Sequence, residues 1–182
     1  MNDIPTSLPG VLIIEPRVFG DDRGFFLESW NAQAYAAAGL DMTFVQDNHS
    51  LSSRGTLRGL HYQLDHTQGK LVRVTAGEVF DVAVDLRRSS PTFGKWVGVV
   101  LSAENKRLLW VPQGFAHGFY VTSPRAEFLY KCTDYYDPTS ERTLAWDDAE
   151  VGIQWPLDPA VPILLSAKDR QGRRLADAEV FA

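Results

Sequence analysis

The fold is indicated first by one stretch past the middle of the chain, VPQGFAHGF at Val111–Phe119. A proline and a glycine form a turn signal there, and a strand with an alternating pattern follows. Because side chains alternate across a strand, Phe115, His117 and Phe119 share one face. The stretch therefore predicts a strand that presents a histidine, between aromatic walls, to the interior of a β structure.

Outward from this strand, short segments of alternating or β-branched character recur through most of the chain. Turn signals such as Ala76-Gly77 and Ser90-Pro91 separate them. This spacing is typical of an antiparallel sandwich or barrel. The predicted strands are Val11–Glu15, Phe25–Trp30, Leu71–Ala76, Glu78–Asp85, Trp96–Leu101, Leu108–Val111, Phe115–Val121 and Glu127–Thr133.

Helical signals are few. One helix is predicted from an N-cap at Asn31 to a stop at Gly39, and a weaker one near Ala145–Glu150. With 182 residues, 45% of them hydrophobic, the chain fits a single domain over residues 1–182. The polar tail at residues 170–182 is expected to be a loose extension.

Composition excludes several classes of protein. The net charge of −5 argues against nucleic-acid binding, which needs a basic face. No apolar run approaches the roughly 20 residues that cross a bilayer, and the start lacks the order of a signal peptide. The lone Cys132 can build neither a disulfide framework nor a cysteine-rich zinc site within the chain. We expect a cytoplasmic protein without membrane contact.

The densest set of reactive groups is RGLHYQ at residues 58–63. His61 and Gln63 share a strand face, whereas Arg58 has the opposite parity. If Arg58 and His61 serve one pocket, Gly59 marks a bulge. The alternative is that His61 is a hydrogen-bonded core histidine.

Val111–Phe119 resembles the second half of the cupin signature, in which the turn aims a histidine into a jelly-roll barrel. In metal-binding cupins a glutamate lies seven residues before a glycine, but counting back from Gly77 gives Lys70. An ammonium has no lone pair for a metal, so no metal is predicted. The alternative metal site would use His61, His66 and His117.

Three further patterns are ambiguous on their own. Tyr130 and Tyr136 share a parity if their strand continues unbroken, although strand aromatics are usually core. Lys168-Asp169 joins a cation to a carboxylate, a pair that is usually solvated. Arg23 follows a turn and could hold phosphate, or could belong to a solvated hairpin.

Taken together, the motifs resemble the dTDP-4-dehydrorhamnose 3,5-epimerase family of cupin-like jelly rolls, from Pro16 to about Asp169. The resemblance rests on the occurrence of all five motifs together, because each motif alone is weak evidence for the family. The motifs are Asp-x-Arg-Gly, Gln-Asp-Asn, Arg-Gly-Leu-His-Tyr-Gln, Pro-x-Gly-Phe-x-His-Gly-Phe and Tyr-Lys-x-Thr-x-Tyr-Tyr. The resemblance implies a mainly β fold, an antiparallel double-stranded β-helix (jelly roll or cupin) with a few short helices.

The same resemblance implies residue roles. His61 matches the general base, Asp169 the carboxylate that raises its basicity, Tyr130 the acid on the opposite face, and Lys70 the cation at the enolate oxygen. Tyr136 looks like the ring that stacks on thymine. The positions matched to substrate binding are Arg23, Phe26, Glu28, Gln46, Asp47, Asn48, Arg58, Gln63, His117, Tyr136, Glu141 and Lys168.

The implied reaction inverts C3 and C5 of dTDP-4-dehydro-6-deoxy-D-glucose, giving dTDP-4-dehydro-L-rhamnose. Both protons lie next to the C4 ketone, so acid and base suffice and no cofactor is expected. No glycine-rich dinucleotide fingerprint is present. The family also implies a homodimer with exchanged N-terminal strands.

Three alternatives stay open from sequence. A single C3- or C5-epimerase would use the same residues. A non-catalytic sugar-binding cupin would need the anion-binding arginines and the aromatic stack but no base. A metal-dependent cupin oxygenase would bind iron.

Overall fold

The computed structural model describes all 182 residues, and strands dominate it. None of the helices has the length and apolar character that a membrane span requires. The strands are β1 (Asn2–Pro5), β2 (Leu12–Glu15), β3 (Val18–Asp21), β4 (Gly24–Leu27), β5 (Gln46–Ser53), β6 (Leu57–Gln63), β7 (Lys70–Ala76), β8 (Glu78–Asp85), β9 (Trp96–Ser102), β10 (Leu108–Val111), β11 (Phe115–Val121), β12 (Arg125–Cys132) and β13 (Glu141–Thr143). The helices are α1 (Ala32–Ala37), α2 (Ala167–Arg170) and a 3₁₀ turn at Leu175–Asp177.

Two antiparallel sheets form the jelly roll. The six-stranded sheet has the order β1-β2-β10-β7-β12-β5, and the five-stranded sheet has the order β13-β6-β11-β8-β9. Strands β3 and β4 form a separate hairpin. The main core lies between the sheets, where Val72 and Phe128 of the first pack with Val79 and Phe119 of the second. The prediction of a mainly β antiparallel jelly roll with a few short helices is confirmed.

The predicted strands correspond closely to the observed ones. Those at Glu78–Asp85, Leu108–Val111 and Phe115–Val121 agree at both ends. The strand predicted to run to Trp30 stops at Leu27, because the chain turns there toward the start of α1.

The outer faces of the sheets are covered by different segments. Helix α1 and its flanks place Tyr35 against Ile14, Leu71 and Leu108 of the six-stranded sheet. The N-cap at Asn31 is confirmed, since its side chain accepts a hydrogen bond from Ala34 N. The five-stranded sheet is covered by a cluster from the C-terminal third of the chain, with Leu144, Val151, Leu175 and Ala178 at its centre.

Two expectations about the C-terminal third are wrong. Ala145–Glu150 is not helical, because the Asp148 carboxylate accepts hydrogen bonds from the backbone of Glu150, Val151 and Leu175 and fixes turns instead. The tail at residues 170–182 is not a loose extension. It buries Leu175 and Ala178, and Phe181 N donates to Leu86 O at 3.1 Å.

Gly59 lies at the bulge that its position in β6 predicted. The register between β6 and β11 shifts between His117 and Phe119, and Gly59 has a φ of +115°. A Cβ on Gly59 would lie 2.7 Å from both Gly118 Cα and His117 O. The shift brings Arg58 and His61 to the same cavity despite their opposite parity.

The bulge makes Gly59→Ala a test of backbone crowding. We expect this change to lower the free energy of unfolding by about 3 kcal/mol or more, since it adds a collision to an unfavourable φ. Gly39→Ala is the matched control, because Gly39 has a φ of +81° and no atom within 4 Å of its added Cβ. The control should cost about 1 kcal/mol. Equal losses in chemical denaturation would contradict the crowding argument.

Candidate active site

A cavity of about 420 Å³ lies between the sheets at one end of the barrel. Strands β5, β6, β7, β11 and β12 form its walls, and β13 and α2 contribute to its rim. Its lining is mostly polar, as expected for a pocket that binds a charged, hydroxylated ligand. The structure brings together these predicted residues: Gln46, Asn48, Arg58, His61, Gln63, Lys70, His117, Tyr130, Tyr136, Glu141 and Lys168.

His61 and Asp169 form a hydrogen-bonded pair across 108 residues of sequence. His61 Nε2 lies 2.7 Å from Asp169 Oδ1, and Asp169 is only 3% exposed. Burial alone would raise the pKa of Asp169. Hydrogen bonds from His61, Ser166 and Gly59 nevertheless hold that pKa well below its usual range, so the carboxylate is ionised. Asp169 is therefore buried and does not form a solvated pair with its neighbour Lys168, which pairs with Glu141 instead.

The environment of His61 favours its neutral form. Burial is the largest influence and lowers the pKa of the imidazole, while the hydrogen bond to Asp169 raises it. The positive charges of Lys168 and Lys70 lower it further. Overall the pKa of His61 is lowered, so the ring is a free base at neutral pH. The hydrogen bond to Asp169 makes the ring more basic than burial alone would leave it.

Tyr130 faces the cavity from the other sheet. It lies on β12, whereas His61 lies on β6. Burial raises the pKa of Tyr130 to about 12, so its phenol keeps its proton at neutral pH. The cavity thus has a neutral base on one wall and a protonated acid on the other.

Lys70 lies in the lining at the start of β7, beside Cys132 in the register. Burial lowers the pKa of its ammonium, and the nearby groups Cys132, Glu141 and Asp81 oppose that effect. A lysine with few water contacts is suited to stabilise a developing negative oxygen.

Two residues behind the lining contact it although no role was predicted for them from sequence. Asp81 is fully buried, and its Oδ1 lies 2.9 Å from His117 Nε2. Ser52 Oγ accepts a hydrogen bond from Arg58 Nε at 3.0 Å. A signal for Asp81 was present, since it is a lone charge inside the apolar strand VFDVAV. Ser52 had no such signal.

The rim of the cavity is a chain of hydrogen bonds centred on Glu141. Tyr136 OH donates to Glu141 Oε2 at 2.9 Å, and Lys168 Nζ donates to Oε1 at 2.7 Å. Tyr136 does not continue the strand of Tyr130, because β12 ends at Cys132. It reaches the cavity from the following turn, where its backbone N–H donates to Gln46 Oε1.

Four predicted binding residues do not line this cavity within one chain. Arg23 pairs with Asp21 in the exposed β3–β4 hairpin, and Phe26 of that hairpin is 69% exposed. Glu28 accepts a hydrogen bond from Asn31 Nδ2. Asp47 pairs with Lys131 at 2.9 Å and lines a second depression.

The three histidines of the alternative metal site do not converge. His61 and His117 line the cavity, but His66 is exposed and faces Asp134, with 3.4 Å between its Nδ1 and the carboxylate. His61 and His117 each place Nε2 on an aspartate instead. The side chains present do not fit a metal held by His61, His66 and His117.

Comparison with known proteins agrees with this geometry. The sequence matches the family described as dTDP-4-dehydrorhamnose 3,5-epimerase over residues 5–177. The enzyme of that name from Pseudomonas aeruginosa is 64% identical over 176 residues, covering 96% of each chain. The dTDP-6-deoxy-D-glucose-3,5-epimerase of Legionella pneumophila, solved with dTDP-4-keto-L-rhamnose, superposes with a TM-score of 0.95 at 55% identity and covers 98% of this chain and 94% of that one.

A more distant structure has a narrower activity. A 3′-monoepimerase from Streptomyces bikiniensis, solved with dTDP-quinovose, has a TM-score of 0.88 at 34% identity, covering 94% of this chain and 87% of that one. The two stronger similarities described above are to 3,5-epimerases. On the family match and these identities, this chain belongs to the dTDP-4-dehydrorhamnose 3,5-epimerase family.

Proposed function

We propose that the chain converts dTDP-4-dehydro-6-deoxy-D-glucose to dTDP-4-dehydro-L-rhamnose by inverting C3 and C5. One observation carries the proposal: a neutral histidine paired with a buried aspartate faces a protonated tyrosine across one cavity. Inversion requires proton removal and proton return on opposite faces of the sugar ring. His61 and Tyr130 lie on strands of opposite sheets, which suits them to the two faces.

The residues support a two-step proton exchange at each carbon. With Nε2–H donated to Asp169, the Nδ1 lone pair of His61 is free to take the proton from C3 or C5. The C–H electron pair enters the conjugated system and places negative charge on the C4 oxygen. The Lys70 ammonium stabilises that oxygen. Tyr130 then gives its phenolic proton to the opposite face, and solvent protons reset the histidine and the tyrosine.

The cavity also fits the charged part of the substrate. Arg58 and Lys168 line it, and Ser52 holds Arg58 Nε so that its remaining donors are available for bidentate phosphate contacts. This local positive charge explains how a protein with a net charge of −5 can bind a diphosphate. Tyr136, half exposed at the rim, is placed to stack on a thymine base.

Two features of a single chain support a homodimer with exchanged N-terminal strands. Phe19, Phe25 and Phe26 of the hairpin are 50%, 60% and 69% exposed. Three large apolar side chains exposed together on one hairpin indicate a surface that packs against a partner. Strand β5 is an open edge of the six-stranded sheet. We infer that each hairpin packs on the partner and supplies Arg23 to the partner's cavity.

The cytoplasmic location stays a prediction.

Isotope incorporation is the direct test of the reaction. We expect proton NMR of the 4-keto-6-deoxyglucose nucleotide in deuterated water to show deuterium at both C3 and C5. His61→Ala should abolish both, and Tyr130→Phe should lower turnover by about 10²-fold or more, because it removes the acid. Deuterium at one carbon would indicate a single epimerase. None with the native protein would leave a binding module.

The pH dependence of kcat/KM tests the base. The rate should fall as pH drops through the pKa of His61, which lies below its ordinary value because the ring is buried. Asp169→Ala removes a group that raises this pKa, so the acidic limb should move to lower pH while kcat falls about 10²-fold or more. Lys168→Met removes a positive charge and should move the limb to higher pH. Shifts of the same sign would contradict the assignment.

Mixing two inactive variants tests whether Arg23 serves the partner. Refolded together, Arg23→Ala and His61→Ala chains form heterodimers in half of the molecules, and one of the two sites is then intact. We expect about a quarter of native activity. If Arg23 serves its own chain, no mixed site is intact and no activity returns. Light scattering of the native protein should give a dimer.

A further inference from the structure

The short helix α2 is built around the aspartate of the catalytic pair. Ser166 is its N-cap and Asp169 its third residue, and the two form a reciprocal capping box. Ser166 Oγ donates to Asp169 Oδ2 at 2.6 Å and accepts from Asp169 N at 3.2 Å. Ser166 N also lies 3.3 Å from Oδ2. The helix start and the catalytic carboxylate therefore use the same hydrogen bonds.

The two oxygens of Asp169 are divided between different partners. Oδ1 accepts from Gly59 N at 3.1 Å and lies 2.7 Å from His61 Nε2. Oδ2 is bonded by Ser166 alone, through its hydroxyl and its backbone N–H. Without the hydroxyl, only the longer backbone contact opposes rotation of the carboxylate. The orientation of Oδ1 toward His61 thus depends on what holds Oδ2.

We propose that Ser166 is a positioning residue for the reaction: its hydroxyl fixes the Asp169 carboxylate so that His61 keeps the orientation and tautomer of a base. The inference rests on the proposed function, because it assigns Ser166 a part in the same proton abstraction. Ser166 does not line the cavity, so it acts through Asp169 and not on the substrate.

The charges around His61 determine the expected pH signature. Asp169 and Lys168 face the ring from α2, Lys70 from β7, and Glu141 lies within charge range from β13. A hydroxyl that donates to Oδ2 spreads the negative charge of the carboxylate away from His61. Removing the hydroxyl leaves more of that charge on the carboxylate oxygen that faces the imidazole. This favours protonated His61, so the acidic limb of kcat/KM should move to higher pH. Asp169→Ala, in contrast, moves the limb to lower pH.

The test is a double-variant cycle in the isotope-exchange assay with the native protein as reference. Ser166→Ala should lower kcat about tenfold, equivalent to about 1.4 kcal/mol, with KM changed less than twofold. In an Asp169→Ala background the same change should alter kcat less than twofold, because there is no carboxylate left to position. Ser166→Thr keeps the hydroxyl and should restore most of the rate.

A matched control separates positioning from stability. Ser90 Oγ donates to the fully buried Asp85 Oδ2, also at 2.6 Å, in a loop outside the cavity. Ser90→Ala should lower the free energy of unfolding as Ser166→Ala does and leave kcat and the pH profile unchanged. Unchanged kcat in Ser166→Ala, or an equal loss with Asp169 already removed, would overturn the inference. An inactive native protein would instead overturn the proposed function.

Discussion

The structure depends on burying the carboxylate of Asp169 without leaving it unpaired. An isolated buried carboxylate costs several kcal/mol, and both oxygens of Asp169 are hydrogen bonded. Its partners come from the bulge of β6 and from the start of α2. The C-terminal part of the chain must therefore return to β6. It does so beside Leu57, whose N–H donates to Leu164 O at 3.0 Å. The packed tail helps to meet this requirement. Arg173 forms a β-bridge with Leu144 shortly after α2 and so holds the helix in place.

Burial also sets the protonation states of the site. Removal from water disfavours the charged form of any group, so it lowers the pKa of His61 and raises that of Tyr130. One physical cause thus leaves a neutral base and a neutral acid in the same cavity. The two sheets of the jelly roll provide the remaining requirement, because they hold these groups on opposite walls with a space for the sugar between them.

Sequence predicted the parts of the site that depend on local spacing. The bounds of three strands, the N-cap at Asn31 and the bulge at Gly59 follow from alternation, capping and glycine geometry. The pairing of His61 with Asp169 came only from the family resemblance, because 108 residues separate them. The place of Tyr136 was misjudged for a related reason. A turn after β12, and not strand parity, carries it to the rim, and turn geometry is not encoded in alternation.

The charges beneath the cavity explain how the barrel holds a lysine where related folds hold a metal ligand. Burial is the largest influence on the Asp81 carboxyl and raises its pKa overall, although His117 and Lys70 oppose that effect. Asp81 Oδ2 has no hydrogen-bond partner, whereas Oδ1 lies 2.9 Å from His117 Nε2. Cys132, Glu141 and Asp81 lie close enough to Lys70 to offset part of the desolvation of its ammonium. Lys70 can then face the negatively charged C4 oxygen of the enolate that forms from a 4-keto sugar.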